Sequence, residues 1–181
     1  ESEKVLKEAQ DFAKSKNLPG DDLLLVKANI ALEKGEMQAA IDVYEDLIKN
    51  YPKSERYFEA YLGKANVYFL LKKFDEALLG YSFIIQKTKD EDLLVKASLG
   101  VAWAYAKLNN LNQAKIYFQN VVDLTNKSDV KVNALTQMAD ALSDADKTAE
   151  ALVIYDTIIK TYPDNVMMYY ILHRQAIALL K

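Results

Sequence analysis

KFDEALLGYSFII, residues 73–85, places a small residue, Ala77, four positions before an aromatic one, Tyr81, inside an amphipathic run. The pairing returns in EMQAAIDVY (Ala40, Tyr44), LNQAKIYF (Ala114, Phe118) and AEALVIY (Ala151, Tyr155). The four alanines stand at 40, 77, 114 and 151, a constant step of 37 residues. A period in the range of about 20–50 residues marks a solenoid, in which no unit covers its own apolar face and each must stack on its neighbours.

Other positions keep the same step. Twelve residues before each marker come Ala28, Ala65, Ala102 and Ala139, and Ala176 opens a fifth unit. Three residues further on stand Ala31, Tyr68, Tyr105, Leu142 and Leu179, and seven after each marker come Leu47, Ile84, Val121 and Ile158. Apolar residues at three- and four-residue spacing predict two amphipathic helices per unit. Short polar turns separate them: EKGEM at 33–37, LKKF at 71–74, LNNLN at 108–112 and SDADK at 143–147. After the second helix, Pro52 and Pro163 end the run because a proline ring cannot continue the hydrogen-bond ladder. The polar stretches KTKDED and TNKSD do the same elsewhere. With few glycines and prolines and no strand-like alternation, the chain reads as all-α. Where the two helices of a hairpin cross, a side chain larger than methyl would push them apart, so Ala28 and Ala40 are expected to face one another, with the aromatic filling the wider space beyond.

Composition narrows the function. The 181 residues are 51% apolar and 27% charged, as in a soluble globular protein. No apolar run approaches the roughly 18 residues of a membrane span, which excludes an embedded body. Of 23 basic residues only Arg56 and Arg174 are arginine, and the net charge is −3, so nucleic acid is not an expected partner, RNA included. Zero cysteines remove disulfides, thiolate nucleophiles and thiolate zinc sites. His173 is the only histidine, so a multi-histidine metal site is absent and a nucleophile would lack a base other than a carboxylate. Asp140, Asp144 and Asp146 are scattered by helical spacing, without a glycine-centred calcium loop, and read as a solvated acidic face. The expectation is a protein that is not an enzyme and carries no cofactor or metal.

The repeat resembles the tetratricopeptide repeat, whose pattern has small residues at its eighth and twentieth positions, aromatics at the eleventh and twenty-fourth, and proline near the thirty-second. Ala65, Tyr68, Ala77 and Tyr81 match in one unit; Ala28, Ala40, Tyr44 and Pro52, then Ala102, Tyr105, Ala114 and Phe118, then Ala139, Ala151, Tyr155 and Pro163 match in the others. The usual Trp near the fourth position is replaced by Leu24, Tyr61, Ser98 and Leu135, and the period of about 34 is lengthened, the extra residues falling after the second helix. The resemblance implies a right-handed superhelical solenoid of hairpins. Its repeats would span 21–57, 58–94, 95–131 and 132–168, with residues 1–20 a capping or divergent helix and 169–181 the first helix of an incomplete repeat or a cap. The long spacing with YPKS resembles repeats of bacterial envelope proteins, the outer-membrane assembly lipoprotein and the cell-division coordinator, although cytosolic repeats share it. Glu1 in place of an initiator Met reads as an excised domain or processed product, and a lipoprotein would carry an acylated Cys at its mature start.

Such proteins usually hold an extended peptide or a partner helix on the concave face lined by the first helices. That implies a groove of Leu25, Asn29, Leu62, Asn66, Phe69, Lys96, Leu99 and Trp103, continued by Ala106, Lys107, Thr136, Asp140, Ser143 and Asp144. Apolar in its middle and acidic toward one end, it would take an apolar or amphipathic segment, with Asn29 and Asn66 bonding its backbone. Family members that grip chaperone tails carry a set of Lys, Asn and Arg positions, of which this chain has Asn29 and Lys96 but Leu25, Gly63 and Gly100 elsewhere, so that ligand is not expected. The alternative is a structural role, in which the stripe packs against another copy as a homo-oligomer or against the rest of a longer chain. The lone helix before Lys181 leaves an apolar face that some element should cover.

Overall fold

The computed structural model describes residues 20–180, so the expected helix within residues 1–20 lies almost wholly outside the described residues. Helices α1 (Gly20–Glu33), α2 (Met37–Asn50), α3 (Tyr57–Leu70) and α4 (Phe74–Lys87) belong to a unit that ends at Thr88. Helices α5 (Glu91–Lys107), α6 (Leu111–Leu124), α7 (Ser128–Asp144), α8 (Thr148–Thr161) and α9 (Met168–Leu179) belong to a second unit that begins at Lys89. No strand occurs among the described residues. Within each unit consecutive helices pair as hairpins and each hairpin stacks on the next, an all-α arrangement of the solenoid type.

The turn inside every hairpin is the same piece of backbone chemistry. Gly35, Lys72, Asn109 and Asp146, again 37 residues apart, all adopt left-handed φ of 58–76°. Each is followed by an amide that bonds back five residues: Glu36 to Ala31 at 2.8 Å, Lys73 to Tyr68 at 2.9 Å, Asn110 to Tyr105 at 2.8 Å and Lys147 to Leu142 at 2.8 Å. This satisfies the carbonyls that a helix end leaves without partners and reverses the chain in about two residues.

The first helices begin at two registers. The link from α2 to α3 and that from α8 to α9 contain Pro52 and Pro163, and α3 and α9 begin at residues 57 and 168. The links before α5 and α7 lack proline and are shorter, the backbone re-enters the helix earlier, and these two helices have 17 residues against 14 in α1 and α3. The residues that lengthen the period are therefore helical in α5 and α7 and remain in the link before α3.

The repeating alanines are fully buried. Ala28, Ala40, Ala65, Ala77, Ala102, Ala114, Ala139 and Ala151 are each at most 2% exposed. Ala28, Ala31, Ala40, Tyr44 and Leu47 form one core of the first unit, and Val132, Ala139, Leu142, Ala151, Tyr155 and Ile158 one of the second. Tyr44 also lies so close over α3 that a Cβ at Gly63 would sit 2.4 Å from its ring. The aromatics do more than fill space. The Tyr81 hydroxyl donates to Asn66 Oδ1 at 2.7 Å and the Tyr155 hydroxyl to Asp140 Oδ1 at 2.5 Å. In the hairpin between them Phe118 has no hydroxyl, and the corresponding residue, Trp103, meets it edge-on at 5.7 Å and 90°. Burial pushes the Tyr81 hydroxyl up to about 12.

Asp140 does not belong to a solvated acidic face. It is 8% exposed and also accepts from the Tyr170 hydroxyl at 2.9 Å and Arg174 Nε at 2.7 Å, so one carboxylate joins α7, α8 and α9. Asp144, more exposed, receives the other end of the guanidinium at 3.4 Å. A buried carboxylate needs such pairing because desolvating it alone costs several kcal/mol.

Lys72→Gly should raise folding stability by up to about 1 kcal/mol in chemical denaturation, since glycine removes the Cβ clash of a left-handed residue while its looser unfolded chain returns part of the gain. Asn109→Gly should gain less, because Asn already tolerates that conformation. The Tyr81 hydroxyl is raised in the folded state, so the stability it contributes is present in full below pH 10 and falls as pH rises toward 12. Denaturation midpoints measured from pH 9 to 12 should decline less steeply in Tyr81→Phe than in the parent protein.

Candidate functional site: the first-helix face of each unit

In the first unit the expected groove residues divide by what holds them. Leu25 is half-buried against the Ala28–Leu47 core and serves the hairpin. Asn29 is exposed on α1. On α3, Leu62 and Phe69 are half-buried, Phe69 meeting Phe74 edge-on at 5.3 Å, and Leu70 beside it is 62% exposed. Asn66 is exposed, but its Oδ1 accepts the Tyr81 hydroxyl, which leaves its amide N–H groups to meet a ligand acceptor.

In the second unit Lys96 is exposed and Leu99 packs on the Ala102, Ala114, Phe118 and Ala141 cluster. Thr136 and Ser143, read from the sequence as lining residues, are buried, Thr136 turning its hydroxyl to the Val132 carbonyl at 2.7 Å. Trp103 is held from three sides. Its ring stands on Phe118, its Nε1 donates to Gln137 Oε1 at 2.5 Å, and Lys107 Nζ lies 5.6 Å from its ring centroid. Gln137 is itself fixed by donating to Asn133 at 2.8 Å. Between the ends of α5 and α7 this leaves a pocket of about 240 Å³, lined by Trp103, Ala106, Lys107 and Asn109 on one side and Ala141, Asp144 and Ala145 on the other. The small side chains make its floor, and a cation and a carboxylate stand at its rim. Lys107 is in the last turn of α5, where the helix C-terminus favours a positive charge.

Sequence reasoning missed Asn109, Ala141 and Ala145, which enter because the pocket sits at the helix ends, where turn residues share the face. It also missed a hollow of about 340 Å³ between α3 and α4, walled by Tyr61, Tyr68, Phe83 and the 74%-exposed Leu79, with Lys64 and Glu76 at its edge. Tyr61 and Phe83 stack there at 4.3 Å. A larger hollow, about 430 Å³, lies by the Pro163 link and is lined mostly by turn and helix-end residues. No group of three or more metal-ligating side chains converges among the described residues.

Three models described as tetratricopeptide repeat match the sequence, one over residues 6–55 and 25–82, the others over 95–128 and 133–165. A search of curated proteins by sequence gives no match. Among solved structures, a thermophilic repeat protein of Thermus thermophilus, TTC0263, aligns at 17% identity and a TM-score of 0.69, over 99% of this chain and 91% of its own. MamA of Desulfovibrio magneticus RS-1, from residue 41 onward, aligns at 16% identity and 0.68, over 91% and 88%. YrrB, described as a repeat protein with an unusual peptide-binding site, aligns at 20% and 0.59, over 94% and 82%. At these identities the structural likeness speaks for the fold alone, whereas the matched repeats cover most of the sequence. Proteins of this kind generally mediate protein–protein interactions on a fold that is typically a non-catalytic scaffold. The chain belongs to the tetratricopeptide-repeat family.

Proposed function

We propose that the protein is a non-catalytic interaction module that docks a peptide or helical segment of a partner protein on its first helices, with Trp103 as the anchor. The observation that carries this reading is the state of Trp103: fixed by Phe118, Gln137 and Lys107, yet only partly covered and bordering a pocket of side-chain size. A large aromatic already locked in place contributes contact area without losing rotamer freedom on binding. The indole and the methyl groups of Ala106 and Ala145 suit an apolar side chain. Lys107 favours an acidic or carbonyl neighbour on the ligand and Asp144 an amide or basic one. In the first unit, the exposed Leu70 and the amide of Asn66 offer the same mixture of apolar contact and backbone hydrogen bonding. The proposal does not depend on an envelope location, which none of the three structural relatives described above carries in its name.

Replacing Trp103 would disturb both Phe118 and Gln137, so a cleaner test fills the pocket. Trp-free peptides selected against the whole protein should change the emission of Trp103, the only tryptophan in the chain. Ala145→Arg should weaken them about tenfold or more, the scale of a lost hot-spot contact, with melting nearly unchanged. Equal binding by Ala145→Arg would sink the reading. So would sedimentation at several concentrations showing a homo-oligomer in which Trp103 is no longer accessible to quencher.

A further inference from the structure

One position on the second helices breaks the pattern of its own repeat. Val43, Tyr117 and Ile154 stand on α2, α6 and α8 at multiples of the 37-residue step, and each packs against a hydrophobic core. The same position on α4 is Gly80. Glycine is a poor helix former, yet here it sits in mid-helix, so close to α3 that a Cβ would stand 2.8 Å from the Ala65 Cβ. The side chain that the other three hairpins place here is missing, and the hollow of about 340 Å³ between α3 and α4 lies over Gly80 and Ala65. Tyr61 and Phe83 stand where the next hairpin has Ser98 and Asn120. Their stacked rings wall the hollow without filling it.

The hairpin of α5 and α6 shows what kind of side chain such a space accepts. There Tyr117 stacks on Tyr105, with ring centroids 5.8 Å apart and planes 29° apart. Tyr68 is the counterpart of Tyr105 and lines the hollow, but α4 has Gly80 in place of the ring that would lie against it. Lys73 Nζ is 5.9 Å from the Tyr68 ring centroid. The edge of the hollow is polar as well as apolar. Lys64, held to Glu45 at 3.3 Å, and the exposed Glu76 stand there beside the 74%-exposed Leu79. A phenol suits such a boundary, because its ring takes the apolar wall while its hydroxyl donates to a carboxylate or accepts from an ammonium group.

We propose that the hollow between α3 and α4 is a docking site for a tyrosine side chain of a partner protein, whose ring takes against Tyr68 the place that Tyr117 takes against Tyr105. Residues 1–19 contain no tyrosine, so that stretch cannot supply the ring. The site lies in the first unit and stands apart from the Trp103 pocket of the second.

N-acetyl-tyrosinamide, with the phenylalanine and leucine amides beside it, serves as the probe, titrated into the isotope-labelled whole protein while the backbone amide shifts of Leu79 and Gly80 are followed. The tyrosine amide should give saturable shifts in the millimolar range, as befits a fragment of its size, and bind about fivefold more tightly than the leucine amide, the scale of a ring stack. Gly80→Tyr, which fills the hollow from within as Tyr117 fills its own, should abolish binding. Because a side chain at position 80 presses on Ala65, Leu79→Gln serves as a second variant: exposed and harmless to the helix, it should weaken binding at least threefold. Absence of saturable shifts, leucine or phenylalanine amides binding as tightly as tyrosine, or binding indifferent to Leu79→Gln would each overturn the proposal. Binding of p-cresol without binding of the capped residue would mark a pocket for free phenols and overturn it too. So would concentration-dependent shifts of Gly80 in the protein alone that vanish in Tyr169→Ala, since Tyr169, 85% exposed, is the tyrosine a second copy can best offer.

Discussion

In three of the hairpins the aromatic of the second helix is met by one residue of the first. The close crossing allowed by paired alanines brings a bulky ring up against the neighbouring helix, and a phenolic hydroxyl there is cut off from water. In these three hairpins it finds an acceptor or is replaced by a ring that needs none. Asn66 and Asp140 answer the first requirement, Trp103 and Phe118 the second. The identity of that first-helix residue is therefore constrained from behind, by the core, although it stands on the face proposed to meet a partner.

This double duty explains why the first-helix face is unevenly available. Asn66 keeps its amide protons for an outside acceptor after its oxygen is taken. Asp140 keeps little, because two phenols and a guanidinium share its two oxygens. Trp103 keeps part of its surface open, although Phe118 meets its ring, Gln137 takes its indole N–H and Lys107 lies over its face. A residue that the fold already immobilises loses little further entropy when a partner covers it.

The hairpins, the buried alanines and the two-helix rhythm were legible in the sequence because each recurs at one period and each has a local cause. The Asp140 pairing was not. Arg174 is 34 residues away, and an aspartate on a helix reads as solvent-facing unless its partner is known. Leu25 and Leu99 were assigned to the groove by counting positions, but a helix side chain leans toward the preceding turn, and both lean far enough to join the hairpin core. The left-handed turn residue was hidden for a different reason. Gly35 announces such a conformation, whereas Lys72 in the same place does not, and only the tertiary requirement to reverse the chain imposes it there.

The two lengths of first helix bear on how such a chain changes over generations. Three added residues rotate a helix by about 300° and lengthen it by about 4.5 Å, close to one full turn, so the new residues extend the existing apolar stripe instead of starting another. An insertion of one or two residues at the same place would swing everything before it away from the core. Length at this junction can therefore vary only in near-whole turns, and the added turn is taken up as helix in α5 and α7, whose links lack proline, and left as link before α3, whose link contains Pro52.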